Sequence, residues 1–112
     1  MDTAGQVNLI KEQLVASRRL LSAIGDETRQ SIILTLMENA CAGMRVGDIT
    51  EKTYLSRPAV SHHLKILLDA GMVGVTPKGT KNFYWINLGT QWDGVVSLVA
   101  TIEKLRAGFQ KN

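Results

Sequence analysis

Apolar positions along the chain recur first at helical intervals, then alternate, then return to helical intervals. From Val7 to Ile24 they fall at Val7, Ile10, Leu14, Leu21 and Ile24, with Lys11, Glu12, Arg18 and Arg19 between them. That spacing predicts one amphipathic helix. Gly25 ends it, and Asp26 follows as an N-cap, with Glu27 where a carboxylate suits the positive end of the helix dipole. A second helix is predicted from about Glu27 to Met37. Ile32, Ile33, Leu34, Leu36 and Met37 cover so much of its circumference that it reads as the central helix, leaving Arg29, Gln30, Ser31 and Thr35 for the wet side. Asn39 to Arg45, rich in small residues, reads as a loop. Val46 to Thr53 places Val46 and Ile49 on one side and Asp48, Glu51 and Lys52 on the other, a helix of two turns.

Leu55 to Val73, LSRPAVSHHLKILLDAGMV, holds a helix with its start and stop written beside it. Ser56 is placed to cap the first turn, Pro58 falls where a missing N–H costs nothing, and Gly71 supplies the stop. At about 100° per residue, Val60, Leu64, Leu67 and Leu68 gather on one face, and Arg57, Ser61, His62, Lys65 and Asp69 gather on the other. One face is core and the other is open to a partner. The open face begins with Arg57, Ser61 and His62, at the end that reaches base edges when a helix enters the major groove.

After Gly71 the pattern changes to Val73, Val75 and then Phe83, Tyr84, Trp85 and Ile86, around Pro77, Lys78, Gly79 and Thr80, which predicts a β-hairpin. Gln91 to Phe109 returns to helical spacing through Trp92, Val95, Val96, Val99, Ile102, Leu105 and Phe109. The order α-α-α-α-β-β-α gives a mainly α fold with a small β-hairpin, a winged helix-turn-helix. Lys78 and Lys81, at the hairpin tip, are then placed to meet phosphates beside the groove.

Composition narrows the reading without deciding it. A chain of 112 residues buries one core, so a single domain over residues 1–112 is expected. With 45% apolar but only 5% aromatic residues, that core is mostly aliphatic. A net charge of +3 suits a nucleic-acid partner but does not demand one. The lone cysteine, Cys41, excludes an internal disulfide. No signal-peptide run and no apolar stretch of membrane-spanning length is read, so a soluble, cytoplasmic protein without membrane contact is expected. No nucleophile–base motif and no phosphate-cradling glycine loop points to an enzyme.

The chain resembles the ArsR/SmtB winged-helix transcriptional repressors. Leu21 to Arg29, LSAIGDETR, looks like that family's second-helix opening, and Val60 to Lys65, Val-Ser-His-His-Leu-Lys, looks like its recognition helix, with the Ala-Gly-Met-Val exit. Gly79 to Ile86 is similar to its wing. The resemblance implies a homodimer on a double-stranded DNA operator of two half-sites, repressing transcription until an effector arrives. It puts Arg57, Pro58, Ser61 and His62 at base-reading positions, although glutamine and serine are frequent where this chain has Arg57 and Pro58. Arg57 would pair bidentately with guanine, worth about 1–3 kcal/mol of discrimination. The first and last helices fall at the family's dimer seam, implying Ile10, Leu14, Leu21, Val95, Val99 and Ile102 as interface residues.

Members that sense arsenite, cadmium or lead carry Cys-Val-Cys-Asp where this chain reads Arg45, Val46, Gly47, Asp48. Members that sense zinc use histidines and carboxylates on the last helix, where this chain offers only Asp93 and Glu103. Neither set supplies the ligands such ions need, so no metal and no cofactor is expected, and the effector is read as something else. His62 and His63 are adjacent on a helix and diverge by about 100°, which suits DNA contact by His62 and a packed or partly exposed His63. Cys41 reads as a small buried apolar residue, with a redox-responsive repressor as the alternative. Trp85 and Trp92 read as core and dimer-seam residues. A winged-helix module that binds proteins rather than DNA is the other alternative.

Overall fold

The computed structural model describes residues 2–39 and 42–110 and divides them into two compact units. The first comprises Leu20–Leu88; the second joins Met1–Arg19 to Gly89–Asn112. The elements run α1 (Thr3–Ala16), α2 (Arg18–Ile24), α3 (Glu27–Glu38), α4 (Val46–Thr53), α5 (Arg57–Asp69), β1 (Val73–Lys78), β2 (Lys81–Ile86), a single 3-10 turn (Thr90–Trp92) and α6 (Asp93–Gln110). Among the described residues, six helices and one antiparallel hairpin make the winged helix-turn-helix that the pattern predicts.

In the Leu20–Leu88 unit, α3 is central, packing against α4, α5 and β2. Asp26 caps it, the carboxylate accepting the Arg29 N–H at 2.9 Å. Its wet side differs from the expectation. Thr35 is buried, its hydroxyl donating to the Ser31 carbonyl at 2.9 Å, while Leu34 is 63% and Met37 47% exposed. A threonine that bonds its own i−4 carbonyl is satisfied without water and can face inward. The core around α3 is Ile32, Leu36, Ile49, Val60, Leu64, Leu67 and Met72, all fully buried.

Tyr54 turns the chain between α4 and α5 in the left-handed region, φ 61°. Ser56 caps α5 by accepting the Ala59 N–H at 3.2 Å, with Pro58 in the first turn. At the other end the Gly71 N–H donates to the Leu68 carbonyl at 3.0 Å and the Met72 N–H to Leu67 at 2.9 Å, a Schellman closure made possible by φ 78° at Gly71. β1 and β2 pair from Val73↔Ile86 to Lys78↔Lys81 around the two-residue loop Gly79–Thr80. Pro77 and Lys78 therefore belong to the strand, and Gly79, first in the loop at φ 63°, supplies the positive φ that a two-residue hairpin needs.

The loop expected from Asn39 to Arg45 carries one pairing that spacing does not reveal. Met44 is buried and bridges to Tyr84 of β2, the Met44 N–H donating to the Tyr84 carbonyl at 2.8 Å and the Tyr84 N–H to Met44 at 2.7 Å. Its partner lies 40 residues on, beyond the reach of a local pattern. Cys41, read as a buried apolar residue or a redox sensor, lies outside the described residues.

In the second unit α1 packs against α6. The single helix expected from Val7 to Ile24 is two, parted at Ser17, so Leu21 falls on α2 and not on α1. Ser17 is buried, and a Cβ on Gly94 of α6 would stand 3.1 Å from its hydroxyl oxygen. The break falls where α6 comes close, a tertiary contact that periodicity cannot register. The expected last helix likewise begins two residues later, after the 3-10 turn.

Candidate nucleic-acid interface

Every residue assigned to DNA from the sequence lies in the Leu20–Leu88 unit and is exposed: Arg57, Pro58, Ser61, His62 and Lys65 on α5, and Lys78 and Lys81 flanking the hairpin tip. On the opposite face of α5, Val60, Leu64 and Leu67 are buried, so the helix is anchored along one stripe and open along the other.

The anchoring is also polar. Arg29 of α3 donates through Nε to the Ala23 carbonyl at 2.7 Å and through Nη2 to Ser22 at 3.2 Å, closing the carbonyl end of α2. Its Nη1 stands 3.5 Å from Nδ1 of half-buried His63. His63 in turn meets exposed His62 edge to face, ring centroids 5.5 Å apart. Arg29, read from the pattern as a solvated side chain, is a tie between α2, α3 and α5. Its guanidinium planarity and five donors allow it to serve all three directions at once.

In the hairpin, Lys78 Nζ lies 5.1 Å from the centre of the Phe83 ring. Lys81 borders a cleft of about 410 Å³ whose walls come from the start of α4, the start of α5 and β2, including Arg45, Gly47, Asp48, Glu51, Arg57 and Tyr84. Arg45 is engaged: its Nε and Nη2 donate to the Asp48 carboxylate at 3.3 and 3.4 Å. These bonds, with the Arg45 backbone N–H and the nearby Lys81 charge, hold the Asp48 carboxyl below its ordinary value. Arg57 reaches over Gly47, its Nη2 3.0 Å from where a Cβ on that glycine would stand. Neither Arg57 nor Lys81 makes an ion pair among the described residues. The cleft escaped the sequence reading because its walls are separated by up to 39 residues; the only local hint was the glycine at 47.

At the positions where the resemblance places a thiolate pair, Arg45 is bonded to a carboxylate and Gly47 lies under a guanidinium. The residues implied at the dimer seam belong mainly to the other unit. There Leu14, Val99 and Ile102 are exposed and Ile10 and Val95 half-buried, while Leu98 and Thr101 fill the α6 face that is covered. Leu21, on α2, is half-buried. Trp85 covers β1 of its own hairpin. Among the described residues no helix is long and apolar enough to cross a membrane.

A family model described as "Bacterial regulatory protein, arsR family" matches residues 26–75, which run from the α3 cap to the middle of β1. The chain is 39% identical over 75 residues to an uncharacterized HTH-type transcriptional regulator of Methanocaldococcus jannaschii, spanning 67% of this chain and 82% of that protein. It is 34% identical over 85 residues to the transcriptional repressor SdpR of Bacillus subtilis, spanning 76% and 91%. Its fold is similar to that of HlyU from Vibrio cholerae N16961, with a TM-score of 0.60 and 26% identity over 79% of this chain and 91% of that one.

Proposed function

This chain belongs to the arsR family of bacterial regulatory proteins, and from that premise we propose that it is a DNA-binding transcriptional repressor, not an enzyme. The observation that carries the reading is the α5 surface, where Arg57, Pro58, Ser61, His62 and Lys65 stand exposed over a buried stripe of Val60, Leu64 and Leu67. A helix so held can enter a major groove with its N-terminal residues at base edges, while the hairpin lysines Lys78 and Lys81 meet phosphate.

The working form is a homodimer on two half-sites. Support comes from the α1 and α6 unit, where Leu14, Val96, Val99 and Ile102 are 49%, 64%, 53% and 43% exposed. That much apolar surface is suited to a second copy, and a two-fold dimer matches a palindromic operator. The effector is read as something other than a thiolate- or histidine-bound metal. A metal ion at the start of α4 would meet the cations Arg45, Arg57 and Lys81 instead of soft ligands.

The test is selection of bound duplexes from a random pool, followed by titration of Ser61→Ala and His62→Ala against the selected and a random duplex. Both variants should lose specific affinity far more than non-specific affinity. A wild-type chain that binds no duplex even at low salt would instead favour a module that binds proteins, since a DNA reader retains weak non-specific affinity. Release of DNA by stoichiometric zinc or cadmium would overturn the effector reading.

A further inference from the structure

The resemblance gives Arg57 a guanine to read, but the folded chain places its guanidinium elsewhere. Nη2 lies against the first turn of α4, 3.0 Å from the position of a Cβ on Gly47. It therefore borders the cleft that Lys81 enters from β2. We propose that this cleft is a phosphate clamp, in which Arg57 and Lys81 together hold one phosphodiester of the DNA backbone. The inference rests on the DNA-binding reading above and assigns Arg57 a different task within it.

Three observations carry it. First, the cleft has about 410 Å³ of space, ample for a phosphate group, and the two cations come from separate elements, so they can flank an anion. Second, the charges are unequally committed. Arg45 is bonded to Asp48, whereas Arg57 and Lys81 make no ion pair among the described residues. Glu51 and Asp48 also border the cleft and oppose an anion, and the Lys81 charge already acts on Asp48. Third, the walls are the parts of a winged helix that face the backbone. In a helix-turn-helix the first helix crosses the phosphate backbone while the second enters the groove, and a wing reaches the strand alongside. An arginine folded onto the first helix is on the backbone side; bidentate pairing with guanine would need it extended along the groove. Gly47 lets the guanidinium lie close against α4; a methyl group there would ask its end to shift by only a few tenths of an ångström.

The experiment uses the full chain with its selected operator and a random duplex, over a range of salt concentrations. Arg57→Ala should weaken both duplexes by the same factor and leave the preference at every operator position unchanged. The double variant Arg57→Ala with Lys81→Ala should lower the slope of log affinity against log salt by about one, as loss of one phosphate contact does. Relaxed preference at a single guanine in Arg57→Ala, with random-duplex affinity untouched, would overturn the clamp in favour of base reading. Replacing chloride by inorganic phosphate at equal ionic strength should displace DNA more readily, and that excess should vanish in the double variant; an excess that persists in the double variant would place the phosphate contact outside this cleft and overturn the clamp. Wild-type chain that binds neither duplex would defeat the DNA-binding reading itself, an outcome distinct from all of these.

Discussion

Trp85 covers its cross-strand partner Gly74 so closely that a Cβ on the glycine would overlap the ring. The indole Nε1 donates to Thr76 Oγ1 at 3.0 Å, which pins the ring along β1. A strand glycine here marks close approach, and the wing owes its form to it. Gly74→Ala should therefore cost about 1–3 kcal/mol, as overpacking against a held side chain does. Gly108→Ala, where a Cβ meets nothing within 4 Å, should instead stabilise by about 0.5–1 kcal/mol. Urea unfolding of the two variants checks the contrast; equal effects would mean that the indole gives way freely.

Tyr54 is held at φ 61° with 93% of its surface exposed, so no burial offsets the strain of a left-handed side-chain-bearing residue. Tyr54→Gly should raise stability by about 1 kcal/mol. The thermal melt of the variant reads this directly, and a fall in melting temperature would show that the exposed ring contributes more than its backbone costs.

Asp26 and Asp48 both ionise below their ordinary value of 3.8. For Asp26 the leading cause is the hydrogen bond from the Arg29 backbone N–H; for Asp48 it is the side-chain bond from Arg45. A carboxyl whose folded value is depressed favours the folded state above its unfolded value and loses that contribution as pH falls through the folded one. Stability should thus decline from about pH 4 downward. Asparagine keeps the Asp26 cap but cannot titrate. The double variant Asp26→Asn with Asp48→Asn should show a shallower fall of urea midpoint from about pH 4 to about pH 2. Identical slopes would remove these two groups from the acid response.

Val99 and Ile102 are exposed on α6, so charge there should be tolerated by the isolated fold. Val99→Glu with Ile102→Glu should abolish the dimer at micromolar concentration while leaving the helical circular dichroism intact. Sedimentation of wild type and variant checks it. A wild-type chain that sediments as a monomer would remove the two half-site arrangement altogether.

α5 was legible in the sequence because everything that makes it is local. Ser56, Pro58 and Gly71 act within one turn of the helix ends, and the division of Val60, Leu64 and Leu67 from Arg57, Ser61 and His62 is a matter of rotation per residue. The α3 cap at Asp26 and the hairpin signal at Gly79 were readable for the same reason. The break at Ser17 was not, since it falls beside Gly94 of a helix some 77 residues on, and Arg29 looked solvated because its partners are carbonyls of the preceding helix and a histidine 34 residues away.

The sequence by itself thus determined the elements, their order, the buried stripe of α5 and the side chains left facing outward. Hydrophobic periodicity and capping are set by neighbours within a few residues, and those neighbours are visible in any window of the chain. Tertiary structure alone decided where the outward-facing charges go. Arg57 and Lys81 border one cleft because α4, α5 and β2 are packed around α3, whereas the Arg45–Asp48 pair, three residues apart, is local. Charge is carried by the residue, but convergence of charge is a property of packing.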